Sequence, residues 1–209
     1  TKGTYQQGDS ALPLVNFTST SPIVTVAPRK FRETNYKVGA EFDVAARSML
    51  YATYATGFKG GGFSLTISCG ADDFDPEYVD ALTIGSRNRF ANDTIQLNIE
   101  AFQWKYRNQQ TSYVGLDKCG VTTLLPRNVG TATIRGLSTD FTVKPTAVDT
   151  LRLAVEYNHS RYDSFSNAQF GIGSYAPAGG SLCAAKPTGG GFFNIDCSGL
   201  PLPRTPRWA

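Results

Sequence analysis

The sequence has few of the residues that build catalytic and metal sites. Its 209 residues include one histidine, one methionine and four cysteines, and no two cysteines form a Cys-x-x-Cys pair. A lone histidine, His159, makes a poor metal site, so we expect no metal and no cofactor. No serine, cysteine or histidine stands in a nucleophile motif, and we therefore predict that the chain is not an enzyme.

Charge and long apolar runs are also scarce. Charged residues make up 18% of the chain, its net charge is +3 and it has no basic run, so we expect no nucleic-acid partner. No stretch approaches the ~20 apolar residues that a membrane-spanning helix needs. A membrane β-barrel needs no such stretch, because only every second residue of its strands faces lipid.

Glycine, threonine, asparagine, tyrosine and phenylalanine are abundant instead, which favours strands and turns over helices. Six segments alternate apolar and polar residues with a period of two, as β-strands do. In the sixth segment, Leu153 lies on the apolar face, and Arg152 and Glu156 lie on the polar face. The predicted strands are residues 31–44, 49–58, 78–90, 94–110, 131–144 and 150–162.

Alternation alone also fits a soluble β-sandwich, but three further features favour a membrane barrel. All six segments reach the ~9–11 residues of a tilted membrane strand, whereas ordinary strands have ~5–6. Aromatic residues gather near the strand ends, as in the two girdles of an outer-membrane barrel. The polar faces carry charges of both signs, which a wet or plugged lumen tolerates.

The connections between the strands are short at one end and long at the other. Residues 1–22 are polar and aperiodic, and we predict a loop there. Short turns are expected at residues 45–47, 92–93 and 145–149. Long loops are expected at residues 59–77, 111–127 and 164–203. Outer-membrane barrels have this asymmetry, with short periplasmic turns and long extracellular loops.

The fourth strand changes phase part-way along its length. Ile99 and Ala101 continue one apolar face, whereas Phe102, Trp104 and Tyr106 have the opposite parity. A β-bulge near Ala101 would keep both sets toward lipid. The alternative is that the aromatic side chains point into the lumen, and the sequence leaves both arrangements open.

Four motifs follow one another along the chain. Residues 50–63 run from a tyrosine-rich strand into Gly-Phe-Lys and then Gly-Gly-Phe, and residues 74–77 read Phe-Asp-Pro-Glu before the third strand. Residues 97–110 form the long fourth strand, and residues 128–136 contain Asn-Val-Gly and Ile-Arg-Gly. Together, over about residues 31–163, they resemble the barrel domain of TonB-dependent outer-membrane receptors.

The resemblance implies the fold class. We expect an all-β, antiparallel, up-and-down segment of a transmembrane β-barrel, with six to seven long strands of a larger, plugged barrel of about 22 strands. Residues 1–209 would be part of the barrel domain, with the plug domain and the remaining strands outside this sequence. The start at Thr1, and residues 204–209, which read as the start of another strand, agree with a fragment.

The resemblance also implies a function, which is energised import across the outer membrane of a Gram-negative bacterium. Such a receptor captures a scarce ligand, for example a ferric siderophore, a cobalamin or a glycan, in its extracellular loops. Its partners are outer-membrane lipid, its own plug domain, the TonB complex and a small-molecule or iron-chelate ligand. A passive porin or an adhesin on the same architecture is an alternative, and a soluble carbohydrate-binding β-sandwich is another.

The three long loops contain the candidate ligand contacts. They are exposed aromatic and basic side chains, and for each of them packing within the loop is the competing interpretation. The candidates are Lys59, Phe63, Tyr113, Lys118 and Tyr175.

The four cysteines also lie in these loops, and an even number of loop cysteines fits disulfides formed in an oxidising compartment. Three pairings are possible. We expect Cys183 to pair with Cys197, because both lie in one long loop, and Cys69 to pair with Cys119 across two loops of the same rim. Closing a loop of ~15 residues is worth ~3 kcal/mol in the chain-entropy account.

Overall fold

The computed structural model describes residues 2–5, 29–66, 70–116, 122–170, 183–189 and 192–209. All regular secondary structure within these ranges is β-strand, and they contain no helix long and apolar enough to cross a bilayer. In chain order the strands are β1 (Lys2–Tyr5), β2 (Phe31–Thr34), β3 (Lys37–Ala45), β4 (Ser48–Lys59), β5 (Gly62–Thr66), β6 (Gly70–Phe74), β7 (Glu77–Phe90), β8 (Ile95–Arg107), β9 (Gln110–Leu116), β10 (Thr122–Asn128), β11 (Gly130–Val143), β12 (Leu151–Phe170), β13 (Ala184–Gly189) and β14 (Phe192–Asp196).

Six long strands form the body of the structure. β3, β4, β7, β8, β11 and β12 pair in that order as an antiparallel meander, and β14 and β13 extend the sheet beyond β12. The sheet is open, with β3 and β13 at its two edges. Residues 46–47, 91–94 and 144–150 form the short turns, all at one end of the meander. This architecture confirms the predicted fold class of an up-and-down barrel segment.

The opposite end of the meander, the long-loop end, carries more strands than the sequence predicted. The expected loops at 59–77 and 111–127 contain the hairpins β5–β6 and β9–β10, which are separate two-stranded sheets. The expected loop at 164–203 contains the outer part of β12 together with β13 and β14. These hairpins are held by hydrogen bonds between backbone groups, which form whatever the side chains are. Their sequences therefore need no alternation of apolar and polar residues, and the strand pattern did not reveal them.

Two predictions near the start of the chain were wrong. Residues 1–22 were expected to be a loop, but Lys2–Tyr5 forms β1 and pairs with β2, and the remainder of that range lies outside the described residues. The first long strand, expected at residues 31–44, is divided between β2 and β3, because the chain passes from one sheet to another at residues 35–36.

The strand register assigns each side chain of the meander to one of two faces, because opposite partners in a ladder point the same way. One face carries every leucine of the six strands, and we call it the leucine face: Leu50, Leu82, Leu97, Leu137, Leu151 and Leu153. The other carries every glutamate of the six strands, and we call it the glutamate face: Glu41, Glu77, Glu100 and Glu156.

The register also decides the direction of the aromatic residues on β8. The ladders from β8 to β7 and to β11 run from Ile95 to Tyr106 without a register shift. The β-bulge considered near Ala101 is therefore wrong, and Phe102, Trp104 and Tyr106 lie on the glutamate face. The side chain of Phe102 is only 9% exposed there.

The leucine face is apolar over much of its area, and none of the residues that the structure describes forms a layer over it. Phe42 is 69% exposed, Ile84 is 56% exposed and Leu153 is 59% exposed, and all three lie on this face. A soluble sandwich packs such a face against a second sheet, and soluble monomers rarely expose apolar patches this long. The arrangement is typical of strands whose apolar side faces lipid.

The buried core lies at the long-loop end. It joins the start of β11 and the outer half of β12 to the segment that follows β14, and its members are Val129, Ala132, Tyr162, Phe165, Ile195, Cys197 and Leu202. Tyr162 and Phe165 meet edge to face, with 4.9 Å between ring centroids. The buried residues therefore lie where the loops join the sheet, whereas the six long strands expose much of their surface.

Candidate ligand-capture rim

All four motif segments meet where the strands end and the loops begin. Asn128 donates from Nδ2 to the backbone oxygens of Asp75 and Asn108, each at 2.8 Å, and its Oδ1 accepts from the Asp75 amide at 2.7 Å. Gln110 donates from Nε2 to the backbone oxygens of Gly60 and Asp75, each at 3.0 Å. We call these five residues the rim network.

The rim network satisfies backbone groups that have left the strand ladders. Such groups need partners when water is partly excluded, and two side-chain amides provide them here. The backbone N–H of Gln110 donates to Glu77 Oε2 at 2.6 Å, which connects the start of β9 to the start of β7. The bases of the two loops that contain β5–β6 and β9–β10 are thus fixed to one another by side chains that the strand pattern alone did not single out.

The glycine run after β4 is part of the same packing. A Cβ atom on Gly61 would collide with the backbone oxygen of Phe74 and would lie 2.8 Å from Cζ of Phe31. Gly61 and Gly62 are both buried. A side chain at position 61 would therefore push β6 and β2 away from the end of β4.

Ion pairs and a phenol join β2 to the segment before β7. Arg29 pairs with Asp73 at 3.0 Å and with Asp75 at 2.9 Å, and its Cζ lies 5.1 Å from the ring centroid of Phe31. Tyr78 donates its hydroxyl to Glu33 Oε1 at 2.9 Å. Exposed ion pairs of this kind contribute about 0–1 kcal/mol each, so they orient the loop base more than they stabilise it.

The structure places two of the five predicted ligand contacts. Lys59 is exposed at the end of β4, opposite Glu77 in the ladder, and Phe63 is half-buried on β5 opposite Asp73. Tyr113 belongs to β9, but its side chain is outside the described residues, as are Lys118 and Tyr175. Ligand contact by these five residues stays a prediction.

A disulfide joins Cys183 and Cys197, with their Cα atoms 4.5 Å apart. This is the local pairing named from the sequence, and the distance lies in the usual range of ~4.4–6.8 Å. Cys197 is completely buried in the core described above. Cys69 and Cys119 lie outside the described residues, so their pairing stays a prediction.

The turn after the disulfide is clamped onto β12. Ser198 Oγ accepts from the Phe165 amide at 2.9 Å, and the Gly199 amide donates to the Tyr162 oxygen at 2.7 Å. The pKa of the Asp196 carboxyl lies below its usual value. The largest cause is a hydrogen bond from the Ser198 hydroxyl, followed by one from the Ser198 backbone N–H, and the nearby charge of Lys186 contributes less. The clamp keeps the hairpin β13–β14 close to the end of β12.

The glutamate face below the rim is a polar wall with charges of both signs. Tyr51 donates its hydroxyl to Glu100 Oε2 at 2.7 Å, and the guanidinium of Arg87 lies 5.0 Å from the Tyr51 ring centroid. Gly85 lies directly opposite Tyr51 and leaves room for its ring. Such a wall can contact water or a polar protein surface.

A comparison with protein families identifies the family of this fold. The family model of TonB dependent receptor-like β-barrels matches residues 5–209. The chain belongs to this family. The match extends well beyond residues 31–163, where the sequence motifs carried the resemblance, and it confirms the predicted family. The barrels of this family are those of outer-membrane receptors that act with TonB.

Comparison with individual proteins is less specific. No curated protein matches this TonB-dependent receptor barrel segment in sequence. Among solved structures, the ferric yersiniabactin uptake receptor FyuA from Yersinia pestis is similar, with a TM-score of 0.59 and 16% sequence identity. The match covers 87% of this chain and 22% of FyuA. At this identity the likeness shows the shared fold alone, and the chain spans about a fifth of that receptor's length.

Proposed function

We propose that this segment forms part of the wall and the outer rim of a TonB-dependent importer in the outer membrane of a Gram-negative bacterium. The observation that carries the proposal is the division of the meander into an exposed leucine face and a charged glutamate face, within a chain that belongs to the receptor family. The leucine face contacts lipid, and the glutamate face is directed toward the plug domain. The long-loop end is extracellular.

The rim is the part of the segment that meets the ligand first. The rim network holds the bases of the loops, and the hairpins β5–β6 and β9–β10 extend beyond it. Lys59 and Phe63 lie at the base of the first hairpin, where an ammonium and an aromatic ring can contact an anionic, partly aromatic iron chelate. FyuA, which has the same fold, is by its name a ferric yersiniabactin uptake receptor, and this favours a ferric siderophore over a cobalamin or a glycan.

The segment acts as a transporter wall and not as an enzyme. Movement of ligand requires the plug domain and the TonB complex, which are supplied by the rest of the receptor and by the inner membrane. A passive porin is the second candidate, because the charged glutamate face also suits a water-filled lumen. A TonB-dependent importer and a passive porin differ in their need for energy, since only TonB-dependent import stops when the proton-motive force is removed.

An uptake assay tests the proposal. Cells without the receptor, and the same cells with it restored, are given labelled ferric chelates, cobalamin or oligosaccharides, with and without a protonophore. We expect one ligand class to accumulate only in the restored cells, and only without the protonophore. Accumulation that persists with the protonophore would establish a porin, and accumulation of none of the three classes would contradict import.

Replacing residues 62–74 by a short glycine–serine linker then tests the rim. We expect lost ligand binding to intact cells with normal amounts of receptor in the outer membrane. The matched control replaces residues 146–148 in the opposite short turn and leaves ligand binding unchanged.

A further inference from the structure

The leucine face changes composition abruptly toward the long-loop end. Opposite partners on β7, β8, β11 and β12 form rows that cross all four strands. One row is entirely apolar: Ile84, Ala101, Leu137 and Tyr157. The next row toward the long-loop end is mixed: Leu82, Gln103, Arg135 and His159. The row beyond it is polar: Asp80, Lys105, Thr133 and Arg161.

Four exposed cations lie together in this upper part of the leucine face. We call them the basic patch: Lys105, Arg107, Arg135 and Arg161. Two carboxylates accompany them. Asp80 pairs with Arg107 at 3.1 Å, and Asp163 pairs with Arg161 at 3.0 Å and accepts from Thr133. Four positive and two negative charges leave a net charge of +2 with His159 neutral.

Two cations of the basic patch are only partly compensated by carboxylates, because Asp80, which lies directly opposite Lys105 in the ladder, pairs with Arg107. In the part of the chain that the structure describes, neither Lys105 nor Arg135 takes part in an ion pair. Arg135 lies diagonally between Lys105 on β8 and Arg161 on β12, with Thr133 opposite both of those residues. Diagonal neighbours of this kind lie ~7–8 Å apart, so three like charges face a common space.

The common space is a recess of about 460 Å³ on the outside of the wall, which His159 and Asp163 also line. An anion held between three cations removes their mutual repulsion, and a phosphate fits best because guanidinium groups bind its oxygens in pairs. The recess opens on the same face as the apolar rows. A soluble ligand that enters the lumen meets the glutamate face and does not meet these residues.

We propose that the basic patch binds the phosphate of a phosphorylated lipid in the leaflet at the long-loop end. The inference rests on the membrane placement proposed above. The lipid's acyl chains lie along the apolar rows below Leu82 and Leu137, and its headgroup reaches Arg135 and Lys105. Basic recesses at the membrane surface bind lipid headgroups in this way.

A matched pair of double variants in the full-length receptor tests this proposal. Lys105→Gln with Arg135→Gln removes the two unpaired cations of the patch. Lys37→Gln with Arg152→Gln removes the same charges from exposed positions on the glutamate face. The receptor is placed in phosphatidylcholine nanodiscs that contain graded amounts of a diphosphorylated glycolipid, and bound lipid is counted by native mass spectrometry. The same glycolipid without phosphates and free inorganic phosphate are the comparison probes.

We expect the patch variant to bind the diphosphorylated lipid about 30-fold more weakly, which corresponds to ~1 kcal/mol for each of two cations near a membrane surface. The glutamate-face variant should bind it like the unchanged receptor. Raising the salt concentration should weaken binding, since ions screen exposed charges.

Three outcomes would overturn the lipid site. The first is that the dephosphorylated lipid binds as tightly as the diphosphorylated lipid, and the second is that both double variants lose the same amount of lipid binding. The third is that inorganic phosphate displaces the lipid at equal molar concentration. Protease protection and heat-modifiable migration in gels are measured on the same samples. A receptor that inserts and imports its ligand but fails the lipid test contradicts only this inference, whereas one that does not insert contradicts the proposed function as well.

Discussion

Phe102 on β8 lies over Gly136 on β11, its direct partner in the ladder. A Cβ atom at position 136 would lie 2.6 Å from Cζ of Phe102 and would collide with the backbone oxygen of Tyr157. The glycine therefore lets the ring lie flat against the glutamate face, where Phe102 also contacts Trp104 with 5.1 Å between ring centroids. The register sets the face on which Phe102 lies, and Gly136 leaves the space that its ring occupies there.

We predict that Gly136→Ala destabilises the receptor by ~1–3 kcal/mol, the usual cost of overfilling a packed site. The backbone oxygen of Tyr157 cannot yield as a flexible side chain can. The measurement is the urea midpoint of refolding into lipid vesicles. Gly57→Ala is the control, because its Cβ would meet only Cγ1 of Val79, at 3.0 Å. Equal midpoints for the two variants would contradict the packing described here.

The two faces of β12 should respond differently to charge. We predict that Leu153→Arg on the leucine face costs ~2–4 kcal/mol if the site is near the bilayer midplane. Ala154→Arg on the glutamate face should cost less than 1 kcal/mol, because the polar wall accepts a cation. The free energy of insertion from denaturant titration decides between them. A larger cost at position 154 would reverse the assignment of the faces.

The rim network should control the mobility of the loops. In Asn128→Asp the two donations to Asp75 and Asn108 are replaced by contacts between oxygens, at about 1–3 kcal/mol for each group left unsatisfied. We expect faster amide exchange around those two residues and earlier proteolysis of the neighbouring hairpins. Asn88→Asp is the control, because Asn88 bonds Ser86 and Leu97 near the short turns. Unchanged exchange at the rim in Asn128→Asp would show that the network does not hold the loops.

The disulfide should stabilise the hairpin β13–β14. It closes a separation of 14 residues, for which the chain-entropy account gives ~3 kcal/mol. We predict that reduction, or the double variant Cys183→Ser with Cys197→Ser, exposes residues 184–196 to protease while the meander stays folded. Simultaneous loss of the meander's strand signal would mean that the bond supports the whole sheet.

Asp196 gives this hairpin a dependence on pH. Its folded pKa is lower than the ordinary value of 3.8, so its bonds to Ser198 stabilise the turn above that pH and are lost as the pH falls through the folded pKa. We expect amide exchange at residues 196–199 to accelerate below a pH of about 3.8. Asp196→Asn should remove the dependence, and a transition that survives this change would have another origin.

The long strands could be predicted from the sequence because each has one apolar face and one polar face. The alternation around Leu153 marks these two faces directly, and the family motifs added the order of the strands. The short turns followed from the same pattern, since they interrupt it. Prediction of the β12 face therefore needed no knowledge of its neighbours.

The rim and the hairpins could not be predicted in this way. The bonds of Asn128 and Gln110 join backbone groups from distant segments, so no local period marks them, although Asn128 stands in one of the motifs. The direction of Phe102 depended on the register against Gly136, which a single strand does not reveal. The basic patch was hidden for the same reason, because Lys105, Arg135 and Arg161 become neighbours only when three strands align.

The rim network has a consequence for affinity. Because Asn128 and Gln110 fix both the amide and the carbonyl of Asp75, the roots of the loops are ordered before any ligand arrives. For the ligand capture proposed above, this means that binding does not have to order the loop roots, which lowers the entropic cost of binding.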